Sequence, residues 1–310
     1  MTIRFPFAPR STLLRACFAS LREINPTMEA SRLFHELRRQ DTMMKKTLAF
    51  LKRDFLIEVS YRFSFIFQLA GVFFSVASYY FLARFIGSSL VPGLEPYGGD
   101  YFAFVLIGVA LHEYLATSLD AFSRAIRESQ VAGTLEALLS TQTSLPTIIF
   151  SSAAYPFLWT SFSVVLYLTL GIGLFGAPLT QSNWAAATLI LMLAIAVFSG
   201  LGILSASFVI VFKRGSPLAW LFGGLSWLLG GVLYPVTVLP EWLRLASSLL
   251  PITYAIEGMR AALLQAAPWS QLWHSLCVLL LFALVVLPLS LASLHYATRR
   301  TRITGTLAHY

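Results

Sequence analysis

Residues able to do chemistry are scarce in this chain, and their spacing argues against most reactions. A phosphate-binding loop places a lysine directly behind a glycine. The four lysines, Lys45, Lys46, Lys52 and Lys213, follow Met44, Lys45, Leu51 and Phe212. The chain therefore has no such site for ATP, and energy from ATP has to come through a partner. A serine nucleophile could be sought at Ser226 in the stretch GGLSW, with His274 as its base. Ser226 falls near the middle of an apolar run and His274 at the mouth of another, and bulky Trp227 follows the serine. Gly223, Gly224, Gly230 and Gly231 repeat seven apart and read better as small-residue strips for close helix packing. His112 and Glu113 stand together inside an apolar run, but position 116 is alanine, so the two-histidine zinc pattern is incomplete. An uncompensated charge at that depth costs about 2.5–3.5 kcal/mol. The pair is expected either to be hydrogen-bonded at a helix seam or to touch a substrate path. Cys17 and Cys277 lie far apart, one in a polar stretch and one in an apolar run, which suits neither a disulfide nor metal spacing.

The elements that must carry these residues follow from composition. Of 310 residues, 57% are hydrophobic and only 12% charged, with mean hydropathy +0.73, against roughly 25% charged in soluble domains. An all-α integral membrane protein is expected. A spanning helix needs about 20 mostly apolar residues, and six stretches qualify: 63–86, 101–119, 145–174, 184–212, 218–236 and 272–294. Pro146 should start the third span and Pro156 kink it.

Basic residues predict the orientation. Residues 1–62 hold twelve Lys/Arg against six Asp/Glu, whereas the connection 87–100 holds none. Arg124, Arg127, Lys213, Arg214, Arg299, Arg300 and Arg302 fall on the same predicted face as the N-terminal cluster, leaving Arg84, Arg244 and Arg260 opposite. Both termini are expected in the cytoplasm, with the net charge of +8 serving topology rather than nucleic-acid binding. Residues 1–42 lack the apolar core of a signal peptide and are expected to be a poorly ordered extension ahead of Met43–Met44. Residues 43–62 read as a basic amphipathic helix in the interface, with Leu48, Leu51, Phe55 and Val59 beside Lys45, Lys46, Lys52 and Arg53. The tail is 299–310.

Two short segments remain. GTLEALLSTQT, residues 133–143, is about three helical turns with leucines on one side, too short to span. Between the fifth and sixth spans, residues 233–265 are apolar but broken by Pro235, Pro240 and Pro251. Pro240 with Glu241 and then Pro251 can each open a helix of about 10–14 residues, the length of a re-entrant or interfacial segment. Glu257 and Arg260, three apart, can pair on one face of the second helix. This pair of helices is expected to form an outer lid.

In that order, GTLEALLSTQT and the pattern LP-x-W, LLP-x-TY, GMR resemble the permease subunit of type-2 ABC transporters, a likeness covering most of residues 45–298. The resemblance implies a permease dimer (homodimer or heterodimer) with two cytoplasmic ATPase subunits that hold the ATP and magnesium, so this chain binds no cofactor directly. It implies coupling to the ATPase through Gly133, Thr134, Leu135, Glu136, Leu138 and Leu139, with Lys52, Arg53 and Asp54 of the lead-in helix nearby. The outer gate would comprise Pro240, Trp242, Pro251, Tyr254, Glu257 and Arg260. The chain departs from many relatives at Gln142, where they carry proline. The expected function is export of a drug, lipid or glycan across the cytoplasmic membrane by alternating access. A non-transporting membrane scaffold or sensor is the alternative. Aromatics Phe73, Phe74, Tyr79, Tyr80 and Phe81 suit several cargoes and choose none.

Overall fold

The computed structural model describes residues 47–87, 93, 94, 97, 99–131, 145–179, 182–212 and 217–303. All regular structure among them is helical. Residues 49–60 form a first helix, α1. It is followed by α2 (Arg62–Ile86), α3 (Tyr101–Val131), α4 (Leu145–Gly173), α5 (Trp184–Phe212) and α6 (Pro217–Leu229). After a single 3-10 turn, Val236–Val238, come α7 (Glu241–Ser248), α8 (Pro251–Leu264) and α9 (Trp269–Ile303). The expected N-terminal extension, the segment 133–143 and the turn with Lys213 and Arg214 lie outside the described residues.

Among the described residues, five helices are long and apolar enough to cross a membrane: Phe63–Ile86, Tyr101–Ala125, Thr147–Gly173, Trp184–Phe212 and Trp269–Arg300. The remaining expected span, 218–236, is helical only over Pro217–Leu229, 13 residues. Its early end has a local cause. Gly231 adopts φ +74°, left-handed backbone that turns the chain out of the helix, and Pro235 follows. The second span departs in the other direction, continuing past Leu119 to Val131. The polar residues there favour helix, and Arg124 pairs with Asp120 one turn back. Pro146 falls in the first turn of α4, as expected, and Pro156 lies within its 29 residues.

α3 is the most enclosed of the five long helices and α2 the least. The core joins α3, α5, α8 and α9 through side chains such as Phe104, Leu111, Leu115, Ile190, Phe198, Ile256 and Leu279. Close backbone approach makes this packing possible. A Cβ at Gly202 of α5 would sit 2.0 Å from the Ser118 carbonyl oxygen of α3, and one at Gly200 would sit 2.8 Å from Val286 Cγ1 of α9. Hydroxyls then bridge the seams, with Ser123 Oγ to Ser205 Oγ at 3.0 Å and Ser293 Oγ donating to Ser207 Oγ at 3.1 Å. Small residues at the crossing and hydroxyls across it are how apolar helices associate where no water drives them together. Gly223 and Gly224 do not serve this purpose, since a Cβ at either would meet nothing within 4 Å.

Candidate functional site

The end of the bundle at which α3 begins is closed by the segment between α6 and α9. α7 starts after Pro240, which caps the helix rather than occupying its first turn, so Glu241 is the first helical residue. Trp242, Leu245 and Leu249 stand exposed along α7, while Ser247 is buried and donates to the Leu229 carbonyl at 2.7 Å. The helix therefore turns its apolar stripe outward, as an interfacial helix does, and uses its polar face to satisfy the frayed end of α6. Pro251 takes the first turn of α8, where its missing N–H costs nothing. Thr253 Oγ1 donates to the Ser247 carbonyl at 2.9 Å and the Tyr254 hydroxyl to the Ser248 carbonyl at 3.1 Å, folding α8 back against α7.

Arg260 is the centre of this arrangement. Its side chain is 2% exposed and reaches three carbonyl oxygens on two other elements. Nη1 donates to Gly231 at 2.7 Å, Nη2 to Val232 at 2.9 Å, and Nη2 and Nε both to Phe104 at 2.9 and 3.1 Å. The guanidinium carbon lies 3.3 Å from the Phe104 ring centroid. Gly108 makes room for it, since a Cβ there would sit 2.4 Å from the Val232 oxygen and 2.6 Å from Arg260 Nη2. The carbonyls of Gly231 and Val232 lie just past the end of α6 at Leu229, so a cation there also meets the negative pole of that helix. The expected Glu257–Arg260 ion pair does not form. Five donors in a fixed fork match three converging carbonyls better than one carboxylate, and the guanidinium turns into the interior. Glu257 stays half-buried, and burial pushes its carboxyl up from the ordinary value, with Arg260 and His274 pulling it back in part.

Residues 116–264 of the chain match the ABC-2 type transporter family. No curated protein matches the chain. The matched region runs from the middle of α3 to the end of α8, so it includes Arg260 with its acceptors Gly231 and Val232, though not Phe104 or Gly108, and the connection between α3 and α4. That connection bears Gly133, Thr134, Leu135, Glu136, Leu138 and Leu139, all outside the described residues.

Other expected site residues fall as follows. His112 points from α3 to α6, with Nε2 3.4 Å from the Gly223 carbonyl and its ring edge-on to Trp227 at 4.7 Å between centroids. It does not bond Glu113, because successive helical residues point about 100° apart. Glu113 instead faces the side of α3 where Tyr79 and Tyr167 lie. Ser226 Oγ is buried without a partner and His274 packs on the Tyr254 ring, so no serine–histidine pair exists. Arg53 and Asp54 pair with each other at 2.8 Å on α1. Pro240, Trp242, Pro251 and Tyr254 are brought into one unit, and Trp242 faces away from it. Sequence reasoning missed Phe104, Gly108, Gly231 and Val232. Only Gly231, inside a glycine pair followed by proline, carried a readable signal of its role.

Proposed function

We propose that the chain is the membrane-spanning subunit of an ATP-driven exporter that moves a drug, lipid or glycan out of the cytoplasm. The observation that carries this reading is the family match across residues 116–264. The lack of a lysine behind a glycine supports a separate ATPase as the motor. In this reading two permease copies flank the path, and α6 with residues 230–234 supplies the sixth crossing, leaving both termini in the cytoplasm. The ATPase grips residues 133–139, with the Arg53–Asp54 stretch of α1 beside it. The continuation of α3 six residues past Ala125 favours this, because it carries the connection about 9 Å beyond the span. A leucine-faced helix with Glu136 in its first turn suits docking in a groove of a soluble protein. Nucleotide closure then moves the spans, and the α7–α8 unit opens on the far side.

The test is co-purification and transport with a co-expressed ABC ATPase subunit from the same organism. Leu138→Asp combined with Leu139→Asp should abolish capture of the ATPase and uncouple its hydrolysis from transport, while the permease still inserts and purifies. Retained capture and transport would refute the coupling assignment. ATP hydrolysis by the purified chain alone would refute the exporter-subunit reading.

A further inference from the structure

At the end of the bundle opposite Arg260, a cavity of about 670 Å³ opens between α1, α2, α3 and α4. That volume lies within the roughly 300–1,000 Å³ typical of small-molecule sites. Its floor is a pair of hydroxyls, Thr117 and Thr160, hydrogen-bonded at 2.6 Å. Its rim is charged, and the charges do not balance. Five ionisable residues of fixed sign line it: Arg53 and Arg124 against Asp54, Glu58 and Asp120. Each arginine is already engaged, Arg53 by Asp54 and Arg124 by Asp120. Among the described residues Glu58 has no cationic partner and accepts from the neutral Gln68 amide. One carboxylate is thus left over. One wall of α4 presents Tyr155 and Trp159, one turn apart, and Trp159 is held edge-on by Phe65 at 5.5 Å between centroids.

We propose that this cavity binds an amphiphilic cation, with Glu58 as its counter-ion and Trp159 and Tyr155 as its aromatic wall. An unpaired carboxylate above an aromatic face is the combination that selects a bulky, weakly hydrated cation, since ring quadrupole and charge attract it together. An anionic headgroup is disfavoured because neither arginine is free to receive it. As the loading site for cargo, the cavity rests on the exporter reading; as a binding site it stands without a motor.

The test uses two ions of matched shape and opposite charge, tetraphenylphosphonium and tetraphenylborate. Binding to the full-length permease in phosphatidylcholine nanodiscs is measured by equilibrium dialysis against empty discs. Tetraphenylphosphonium should bind saturably and tetraphenylborate should not. Glu58→Gln should weaken the cation about tenfold, and Glu58→Asp should largely restore it. Trp159→Leu should weaken it about threefold to tenfold. Arg53→Gln, which adds a net negative charge, should tighten it, a gain that misfolding cannot produce. Absence of saturable binding, equal binding of both ions, preference for tetraphenylborate, or indifference to Glu58→Gln would each overturn the proposal. Loss of cation binding leaves the exporter reading standing, and failure to capture an ATPase leaves the cation site standing.

Discussion

Replacing Arg260 with methionine isolates the physical claim behind the α7–α8 unit. The side chain keeps most of its apolar volume and loses every donor. Three carbonyl oxygens, those of Phe104, Gly231 and Val232, then remain in a site that admits no water through a 2%-exposed side chain. A buried acceptor left unpaired costs about 1–3 kcal/mol; Phe104 O keeps its bond within α3, so the Gly231 and Val232 carbonyls give an upper sum of about 6 kcal/mol. The variant no longer desolvates a guanidinium, which offsets several kcal/mol of that sum. Removing one side of a buried charged network costs about 3–5 kcal/mol in practice, and that is the expected loss. At about 2–4 °C per kcal/mol, the melting temperature of the purified chain in detergent should fall by about 10 °C. Arg260→Lys should fall between, since one ammonium keeps the charge at the end of α6 but cannot reach both α3 and the 231–232 turn in fork geometry. Gly108→Ala should reproduce much of the defect from the other side, by driving a methyl to 2.4 Å from the Val232 oxygen. A loss below about 1 kcal/mol for Arg260→Met, or a lysine variant as damaged as the methionine one, would refute the clamp, since surface-like substitutions stay within about 0.5 kcal/mol.

Two further outcomes follow from the packing and from the Glu257 carboxyl. Gly202→Ala should destabilise the bundle by about 1–3 kcal/mol or more, because the new methyl would lie 2.0 Å from the Ser118 oxygen. The same change at Gly71, where a Cβ meets nothing within 4 Å, should be neutral or stabilising by about 1 kcal/mol from helix propensity; equal melting shifts for the two would contradict the seam. Glu257 has its carboxyl raised by burial, so the folded state favours the neutral form. Its contribution is present at low pH and lost as pH climbs through the raised value. Glu257→Gln should therefore melt with a flatter pH profile than the parent, nearly matching it in acid and exceeding it toward neutral pH. An unchanged slope between pH 4 and 8 would rule this out.

The sequence by itself determined the membrane class, the positions of five spans and the punctuation of the 233–265 segment. These depend on local quantities. A run of apolar side chains has one low-energy environment wherever its neighbours lie, and proline at 240 and 251 ends or opens a helix through its own missing N–H. It was also enough to exclude a phosphate loop, since Lys45, Lys46, Lys52 and Lys213 lack the preceding glycine. The tertiary structure decided what each polar residue does. Spacing placed Glu257 and Arg260 within reach of one another, but whether they pair depends on which acceptors converge from elsewhere. Phe104 and Gly231 stand 156 and 29 residues from Arg260 along the chain, distances over which no periodicity carries information. His112 and Glu113 were readable as neighbours, yet only the packing of α6 against α3 sent one to Gly223 and left the other facing Tyr79 and Tyr167. The cavity beside α1 was illegible for the same reason. Glu58, Asp120 and Trp159 sit on three different helices, and charges so separated in sequence acquire a common field only when the bundle brings them together.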